Sequence, residues 1–171
     1  EDPGWQVYQK RQRASCEAVG IVYRAEVLRA GSTQEDLHEL IESLNADPAV
    51  HGILLQSPLD GGLSAEAAQA LLSPAKDVEG VTPANLGLVL AGKPAVAPCT
   101  ARAAVAMAEL ALPDLRGVEA VVVGASVIVG RPVAQLLLAA GATVRVAHID
   151  TRDVAAHTRQ AELLVVAVGK P

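Results

Sequence analysis

Hydrophobic residues in the first part of the chain follow two different periods. Residues 6–19 have helical spacing and precede Gly20, a residue type that adopts the positive φ of a helix end at little cost. Residues 21–28 carry β-branched side chains at intervals and predict a strand. Ser32 stands three residues before Glu35, which is the spacing of a capping box and predicts the start of a second helix.

The second helix is predicted to bury one apolar face. The residues of this face recur at helical spacing: Leu37, Leu40, Ile41 and Leu44. Pro48 cannot continue a helix, so this one is expected to end near Asn45. Residues 52–55 are continuously apolar, as is typical of a parallel strand covered on both faces, and residues 64–72 predict a third helix.

Strands and helices alternate in the second part of the chain. Thr100 is a suitable N-cap for an alanine-rich helix that reaches Ala111. Beyond it, the pattern predicts strands over residues 119–124, 143–147 and 163–168 and helices over residues 130–140 and 153–161. This β-α-β-α-β order is that of the mononucleotide-binding half of a doubly wound parallel sheet.

Glycine and proline are frequent between residues 87 and 98, and we predict a hinge there. The fold class that follows is α/β, with two α/β domains and a cleft between them. The second domain is expected to be a Rossmann-type doubly wound parallel sheet. We place the domains at residues 1–98 and 99–171.

Composition excludes several classes of function. Hydrophobic residues make up 51% of the 171 residues and charged residues 19%, which is typical of a globular protein. The only aromatic residues are Trp5, Tyr8 and Tyr23, and the formal net charge is −5. Nucleic-acid binding is therefore not expected, because few rings are available for stacking and phosphates would be repelled. The longest apolar runs are too short to span a membrane.

The thiols and imidazoles predict no metal site. Cys16 and Cys99 lack metal-like spacing, and the four histidines are scattered along the chain. Two isolated thiols and no recognisable signal peptide favour the cytoplasm or an organelle matrix. A turn-like opening and an end directly after a strand predict that both termini are cuts through a longer protein.

A glycine-containing turn between a strand and a helix is the strongest candidate for ligand binding. Backbone N–H groups and the positive end of the helix would face a pyrophosphate there. The candidate cofactor-binding residues of this turn are Gly124, Ala125, Ser126, Gly130, Arg131 and Pro132. The spacing departs from G-x-G-x-x-G, because Ser126 holds the second glycine position and Gly130 comes one residue late. An ordinary tight turn is the alternative interpretation.

The end of the following strand is where an adenine ribose would bind. His148 and Asp150 are the candidates at this strand end. A carboxylate here accepts a hydrogen bond from the ribose 2′-hydroxyl and repels a 2′-phosphate, which favours NAD. Arg131 and Arg152 could instead hold the 2′-phosphate of NADP. A helix N-cap beside Thr151 is the structural alternative for Asp150.

The first part of the chain offers four polar candidates. Tyr8 and Gln12 are four residues apart and share a helix face. Gln56 stands at the carboxyl end of a predicted strand, where ligand contacts in such sheets are usual. Residues 76–80 supply two acids, including Glu79, before a turn. Taken singly, each residue is better explained as part of a helix surface, a strand end or a solvated loop.

In order along the chain, these segments resemble methylenetetrahydrofolate dehydrogenase/methenyltetrahydrofolate cyclohydrolase. The resemblance rests on residues 6–8, 52–59, 76–80 with Pro83, Asn85 and Gly87, 98–100, 124–132 and 166–171. It implies a cleft between a folate-binding catalytic domain and a Rossmann domain, a homodimer, and usually NADP. It also implies that both termini of the chain lack segments that the family has.

The resemblance also implies roles for single residues. Tyr8 would stack on the folate pterin and Glu79 would bind the pterin ring, whereas Gln56 would assist a central lysine. Gln12 stands where the family has that lysine, and an amide can neither carry a proton nor a charge. We therefore predict a weak or lost cyclohydrolase step. Glu79 also replaces the family's Asp.

Three hypotheses follow for the function of the chain. The leading one is a methylenetetrahydrofolate dehydrogenase that uses NADP, with NAD left open by Asp150. Gln12 and Gln56 would be its catalytic residues. The alternatives are a non-catalytic folate- or dinucleotide-binding homologue and a Rossmann dehydrogenase that acts on another small substrate.

Overall fold

The computed structural model describes residues 3–169 of the chain. They form two compact units, one ending at Ser32 and the other beginning at Thr33. In chain order the elements are α1 (Pro3–Ala18), α2 (Gln34–Ala46), α3 (Ala65–Leu71), α4 (Pro83–Leu90), α5 (Cys99–Ala111), β1 (Glu119–Val123), α6 (Gly130–Ala139), β2 (Thr143–Ala147), α7 (Val154–Thr158) and β3 (Leu163–Val166). No helix among residues 3–169 is long and apolar enough to cross a membrane.

The first unit contains α1 and the segment that follows it. The predicted helix is confirmed, and it is followed by Gly20 with a φ of 77°. The strand predicted over residues 21–28 is wrong, because this segment pairs with no strand among the described residues. A β-branched sequence favours extended backbone, but a strand also needs a neighbour for its N–H and C=O groups.

Helix α2 begins one residue later than predicted. Its N-cap is Thr33, whose side chain accepts from the Asp36 N–H, while the Asp36 carboxylate accepts from the Thr33 N–H. The prediction that Ser32 and Glu35 form the capping box is therefore wrong by one position. Both pairs have the required spacing, so spacing could not choose between them. The structure places Leu37 and Ile41 of this helix in the core.

The strand predicted over residues 52–55 is reduced to a single parallel bridge between Ile53 and Asp77. The Ile53 N–H donates to the Lys76 carbonyl at 2.7 Å. The Lys76 ammonium donates to three carbonyls at the end of α2, those of Leu44, Asn45 and Asp47. Lys76 therefore ties the end of α2 to the segment that carries Asp77.

A three-stranded parallel sheet forms the second part of the chain, in the order β2-β1-β3. The α/β class and the Rossmann-type sheet are thereby confirmed. Helices α5 and α6 cover one face of β1 through an apolar core: Ala101, Val105, Leu115, Ala120, Val122, Val133, Ala134, Leu137 and Ala142. Val121, which points to the opposite face, is buried as well.

Several element boundaries differ from the prediction. The first four residues of the hinge predicted over residues 87–98 belong to α4. This helix has Thr82 as its N-cap, begins at Pro83 and continues to Leu90. Helix α5 begins at Cys99 after Pro98, with no side-chain cap, so Thr100 is not its N-cap. Helix α7 and strand β3 are both shorter than predicted.

The register of the α2 capping box predicts different effects for two adjacent substitutions. Thr33→Ala removes the hydroxyl that accepts from the Asp36 N–H and should lower the free energy of unfolding by about 1 kcal/mol. Ser32→Ala is the matched control and should change it by less than about 0.5 kcal/mol. Urea denaturation followed by circular dichroism measures both. A larger loss for Ser32→Ala would contradict this register.

Candidate functional site: a phosphate-binding turn and a carboxylate-centred loop

Gly124 follows β1 and adopts a φ of 116°, a conformation that L side chains rarely tolerate. Its N–H donates to the Ala147 carbonyl at 2.8 Å, which continues the pairing of β1 with β2. A Cβ at this position would overlap the carbonyl of Ala167, at 2.8 Å from its carbon. The backbone of this residue therefore lies in close contact with both neighbouring strands, and only glycine fits there.

Gly130 is the first residue of α6, and it lies directly against the carbonyl of Gly124. A Cβ added to Gly130 would overlap the Gly124 oxygen and come within 3.0 Å of the Ala125 nitrogen. The Gly130 N–H donates to the Ser126 hydroxyl at 3.3 Å, and Pro132 is buried in the first helical turn. The first residue of α6 is therefore in direct contact with the residue that follows β1.

This arrangement suits the binding of an anion. Because β2 and β3 pair with opposite edges of β1, the strand order changes direction at β1, and crevices for ligands form at such points. The N-terminus of α6 points its positive dipole to the same place. The exposed Arg131 donates through Nε to the Ala125 carbonyl at 3.0 Å, which holds a cation beside the turn.

The segment after β2 forms a turn around His148. The His148 N–H donates to the Thr151 hydroxyl at 2.9 Å, and the Asp150 N–H donates to His148 Nδ1 at 3.2 Å. The Asp150 side chain is 84% exposed, with Oδ2 3.6 Å from His148 Nδ1. The N-cap of α7 is Asp153, so the structural alternative considered for Asp150 is wrong.

A second polar centre is built around the buried carboxylate of Asp77. Its Oδ1 accepts from the N–H groups of Glu79 at 3.1 Å and Gly80 at 2.8 Å. Its Oδ2 accepts from the Thr82 N–H at 2.9 Å and from Asn85 Nδ2 at 2.8 Å. Burial opposes the ionisation of Asp77, but hydrogen bonds from Asn85, Thr82 and the Val81 backbone outweigh it and lower the pKa.

Glu79 belongs to this loop, and its side chain is half-buried. Burial and the nearby charge of Asp77 raise the pKa of its carboxyl group. Both causes penalise the ionised form, and a ligand that donates hydrogen bonds to the carboxylate would offset them. Gln56, a further candidate in this half of the chain, is also half-buried and precedes a cis peptide bond between Ser57 and Pro58.

Tyr8 and Gln12 lie one turn apart on α1, in the first compact unit. The Tyr8 side chain is 50% exposed, and that of Gln12 is half-buried. An exposed aromatic ring on a polar helix is available for stacking on a flat ligand.

Sequence analysis did not identify the central role of Asp77, nor that of Asn85 in holding it. Both residues stood within a segment that was singled out, but no periodicity or spacing marks a carboxylate that will be buried. Lys76 was likewise given no role, and its ammonium group is fully engaged by the end of α2.

Comparison with known protein families gives two matches along the chain. Residues 1–79 match the catalytic domain of tetrahydrofolate dehydrogenase/cyclohydrolase. Residues 98–171 match the NAD(P)-binding domain of tetrahydrofolate dehydrogenase/cyclohydrolase. Together the two matches include most of the chain and all of the candidate residues described above.

Curated relatives are similar along the whole chain. The bifunctional protein FolD of Bordetella avium (strain 197N) is 47% identical over 171 residues, which are 100% of this chain and 60% of that protein. The bifunctional protein FolD of Moorella thermoacetica (strain ATCC 39073 / JCM 9320) is 45% identical over 171 residues, or 61% of its length. The chain thus spans about three fifths of these relatives.

Solved structures are also similar along nearly the whole chain. The bifunctional FolD methylenetetrahydrofolate dehydrogenase/cyclohydrolase of Campylobacter jejuni has a TM-score of 0.90 and 42% identity, with 98% of this chain and 60% of that chain covered. The Trypanosoma brucei enzyme, complexed with NADP cofactor and inhibitor, has a TM-score of 0.88 and 34% identity, with 99% and 59% covered.

The contact between Gly130 and Gly124 predicts opposite effects for two glycine substitutions. Gly130→Ala places a methyl group on the Gly124 carbonyl and should lower the free energy of unfolding by about 1–3 kcal/mol. Gly87→Ala, in open space within α4, is the control and should raise it by about 0.5–1 kcal/mol. Thermal unfolding compares the two, and equal effects would disprove the close packing.

Proposed function

The chain belongs to the tetrahydrofolate dehydrogenase/cyclohydrolase family, and we propose on this premise that it oxidises 5,10-methylenetetrahydrofolate to 5,10-methenyltetrahydrofolate. NADP would accept the hydride that leaves the methylene carbon. The observation that carries the proposal is the turn from β1 into α6 where the strand order reverses, because Gly130 packs directly on Gly124 and so brings the positive end of α6 to the carboxyl end of β1.

The dinucleotide-binding residues proposed are those of the turn after β1 and of the segment after β2. They are Gly124, Ala125, Ser126, Gly130, Arg131, Pro132, His148 and Asp150. The fit to a pyrophosphate is supported by the N-terminus of α6, which the packing of Gly130 on Gly124 holds at the carboxyl end of β1. The same residues would hold the dinucleotide and orient its reactive ring.

The choice of NADP rests on the relative from Trypanosoma brucei, whose structure was solved with NADP. Asp150 argues for NAD, because its exposed carboxylate would repel a 2′-phosphate and accept from a 2′-hydroxyl. Arg131 beside the turn argues for NADP, since its guanidinium group can pair with the 2′-phosphate. NADP is the cofactor that we propose.

Three residues are proposed for folate binding. Tyr8 would stack on the pterin ring, and Glu79 would accept hydrogen bonds from its N–H groups. Gln56 would bind near the reacting carbon with its amide. For the oxidation, these residues need only position the methylene carbon towards the nicotinamide, because the hydride moves directly between the two.

Gln12 would limit the second reaction of the family. Hydrolysis of methenyltetrahydrofolate needs a group that moves protons to and from water, and an amide side chain does not ionise. We therefore propose that the cyclohydrolase step is weak or lost. The second candidate function is non-catalytic binding of folate or dinucleotide. It is supported by Gln12 in place of the family's lysine and by Glu79 in place of the family's Asp.

The remaining organisation is proposed on the same premise. The folate-binding domain would comprise residues 1–98 and the dinucleotide-binding domain residues 99–171. Two copies would form a homodimer, and the protein would act in the cytoplasm or an organelle matrix. Sedimentation velocity with the purified chain would test the dimer.

Restoring an ionisable amine at position 12 should restore hydrolysis. Gln12→Lys is expected to raise the hydrolysis rate of 5,10-methenyltetrahydrofolate by about a hundredfold, because general acid–base catalysis typically contributes this much. The loss of methenyl absorbance measures the rate. Gln6→Lys, at an exposed position of the same helix, is the control. Rapid hydrolysis by the unaltered chain would refute the role given to Gln12.

Removing the carboxylate after β2 should shift the cofactor preference. Asp150→Ser is expected to raise the ratio of kcat/KM for NADP to that for NAD by about five- to tenfold, because a like charge near the 2′-phosphate is removed. Asp60→Ser, an exposed acid outside the nucleotide-binding domain, is the control. Steady-state kinetics with both cofactors gives the ratio. No change in it would mean that Asp150 lies away from the ribose.

A further inference from the structure

We propose that Asp77 is a positioning residue that sets the place and the charge state of the folate-binding carboxylate of Glu79, an inference that rests on the proposed function. Asp77 itself has no capacity left for a ligand. Its side chain is 2% exposed, and its two oxygens already accept four hydrogen bonds. Its influence on a bound folate therefore has to pass through the loop that it holds.

Two of the four hydrogen bonds to Asp77 hold the backbone of Glu79 and of the residue that follows it. The N–H groups of Glu79 and Gly80 both donate to Asp77 Oδ1. These bonds fix the direction in which the Glu79 side chain leaves the loop. Without them, the carboxylate would depend on a flexible turn for its place, and a displacement of about 1 Å can cost a hundredfold in rate.

The other two donors anchor Asp77 to α4. Thr82 is the N-cap of that helix, and its hydroxyl accepts from the Asn85 N–H at 3.3 Å. Asn85 donates through its side chain both to Asp77 and to the Pro74 carbonyl, at 3.1 Å for the latter. The carboxylate of Asp77 is therefore held by a helix on one side and holds the Glu79 loop on the other.

The charge of Asp77 also acts on the carboxyl group of Glu79. The hydrogen bonds to Asp77 keep its pKa low despite burial, so it carries a full negative charge at neutral pH. That charge, added to burial, raises the pKa of Glu79. A carboxylate with higher proton affinity is a stronger acceptor for the N–H groups of an aminopyrimidinone ring such as that of a pterin.

The effect of pH on folate binding distinguishes this role from mere support of the fold. Protonation removes the charge of Glu79 and turns one of its acceptor oxygens into a donor, so folate binding should be strongest above its pKa and weaken as the pH falls through that pKa. Asp77→Asn removes the charge that raises the pKa of Glu79. The acid midpoint of binding should therefore move to lower pH, while affinity at neutral pH falls by about ten- to a hundredfold because the loop is held less well.

The experiment measures binding of tetrahydrofolate to the 171-residue chain by calorimetry between pH 4 and pH 8. Asp60→Asn is the control that makes the same charge change at an exposed position of the same half. Asn85→Ala is the second variant, since it removes one donor to Asp77 and leaves the carboxyl group of Asp77 in place. It should weaken binding at neutral pH, because the Glu79 loop is held less well. Wild-type affinity in Asn85→Ala would overturn the inference.

The titration of Glu79 can also be followed without a ligand, by carbon NMR of its side-chain carboxyl group assigned with Glu79→Gln. In the unaltered chain we expect a midpoint above that of an ordinary glutamate, and in Asp77→Asn a lower one. An ordinary midpoint in the unaltered chain overturns the inference even if Asp77→Asn does not fold. An unchanged midpoint in a folded Asp77→Asn variant overturns it as well.

These readouts separate the failure of this inference from the failure of the proposed function. If tetrahydrofolate does not bind to the unaltered chain, the proposed function is wrong, because it requires a folate site. The carboxyl titration then still decides whether Asp77 controls Glu79. If tetrahydrofolate binds but Asp77→Asn leaves both midpoints unchanged, the proposed function stands and the positioning role of Asp77 is wrong.

Discussion

The close approach of two backbone segments, at Gly124 and Gly130, is the constraint from which the second half of this protein is built. Strand β1 is buried on both faces, so the chain has to leave it through a narrow turn. Gly130, the first residue of α6, lies against the carbonyl of Gly124, so no side chain fits at this position. Helix α6 can then pack on the sheet with its positive end at the carboxyl end of β1.

A buried charge plays the corresponding part in the other candidate site. A carboxylate inside a protein is stable only where donors surround it, and Asp77 has four. Two of them come from the start of α4, and α4 packs against α6, the helix that begins at the phosphate-binding turn. The loop that carries Glu79 and the turn that would hold the dinucleotide are therefore supported by two helices in mutual contact.

The altered residues lie on the folate side of the proposed chemistry. In the proposed function, the turn after β1 would hold the pyrophosphate, whereas the resemblance implies that Gln12 stands in place of an ionisable lysine and Glu79 in place of an Asp. Hydride transfer depends on position, and hydrolysis depends on proton transfer, so a single change from lysine to glutamine affects the two reactions unequally. Under the proposed function, this pattern would favour oxidation over hydrolysis.

Periodicity and residue type by themselves predicted most of the helices, the alternation of strands and helices in the second part of the chain and the glycine-containing turn after β1, because these patterns lie in residues close together in sequence. The resemblance to a family supplied the folate-site candidates. Only the tertiary structure decided that Thr33 and not Ser32 caps α2, since both have a suitable partner three residues ahead. It also decided that residues 21–28 lack a strand partner and that Asp77 is buried, because pairing and burial depend on segments distant in sequence.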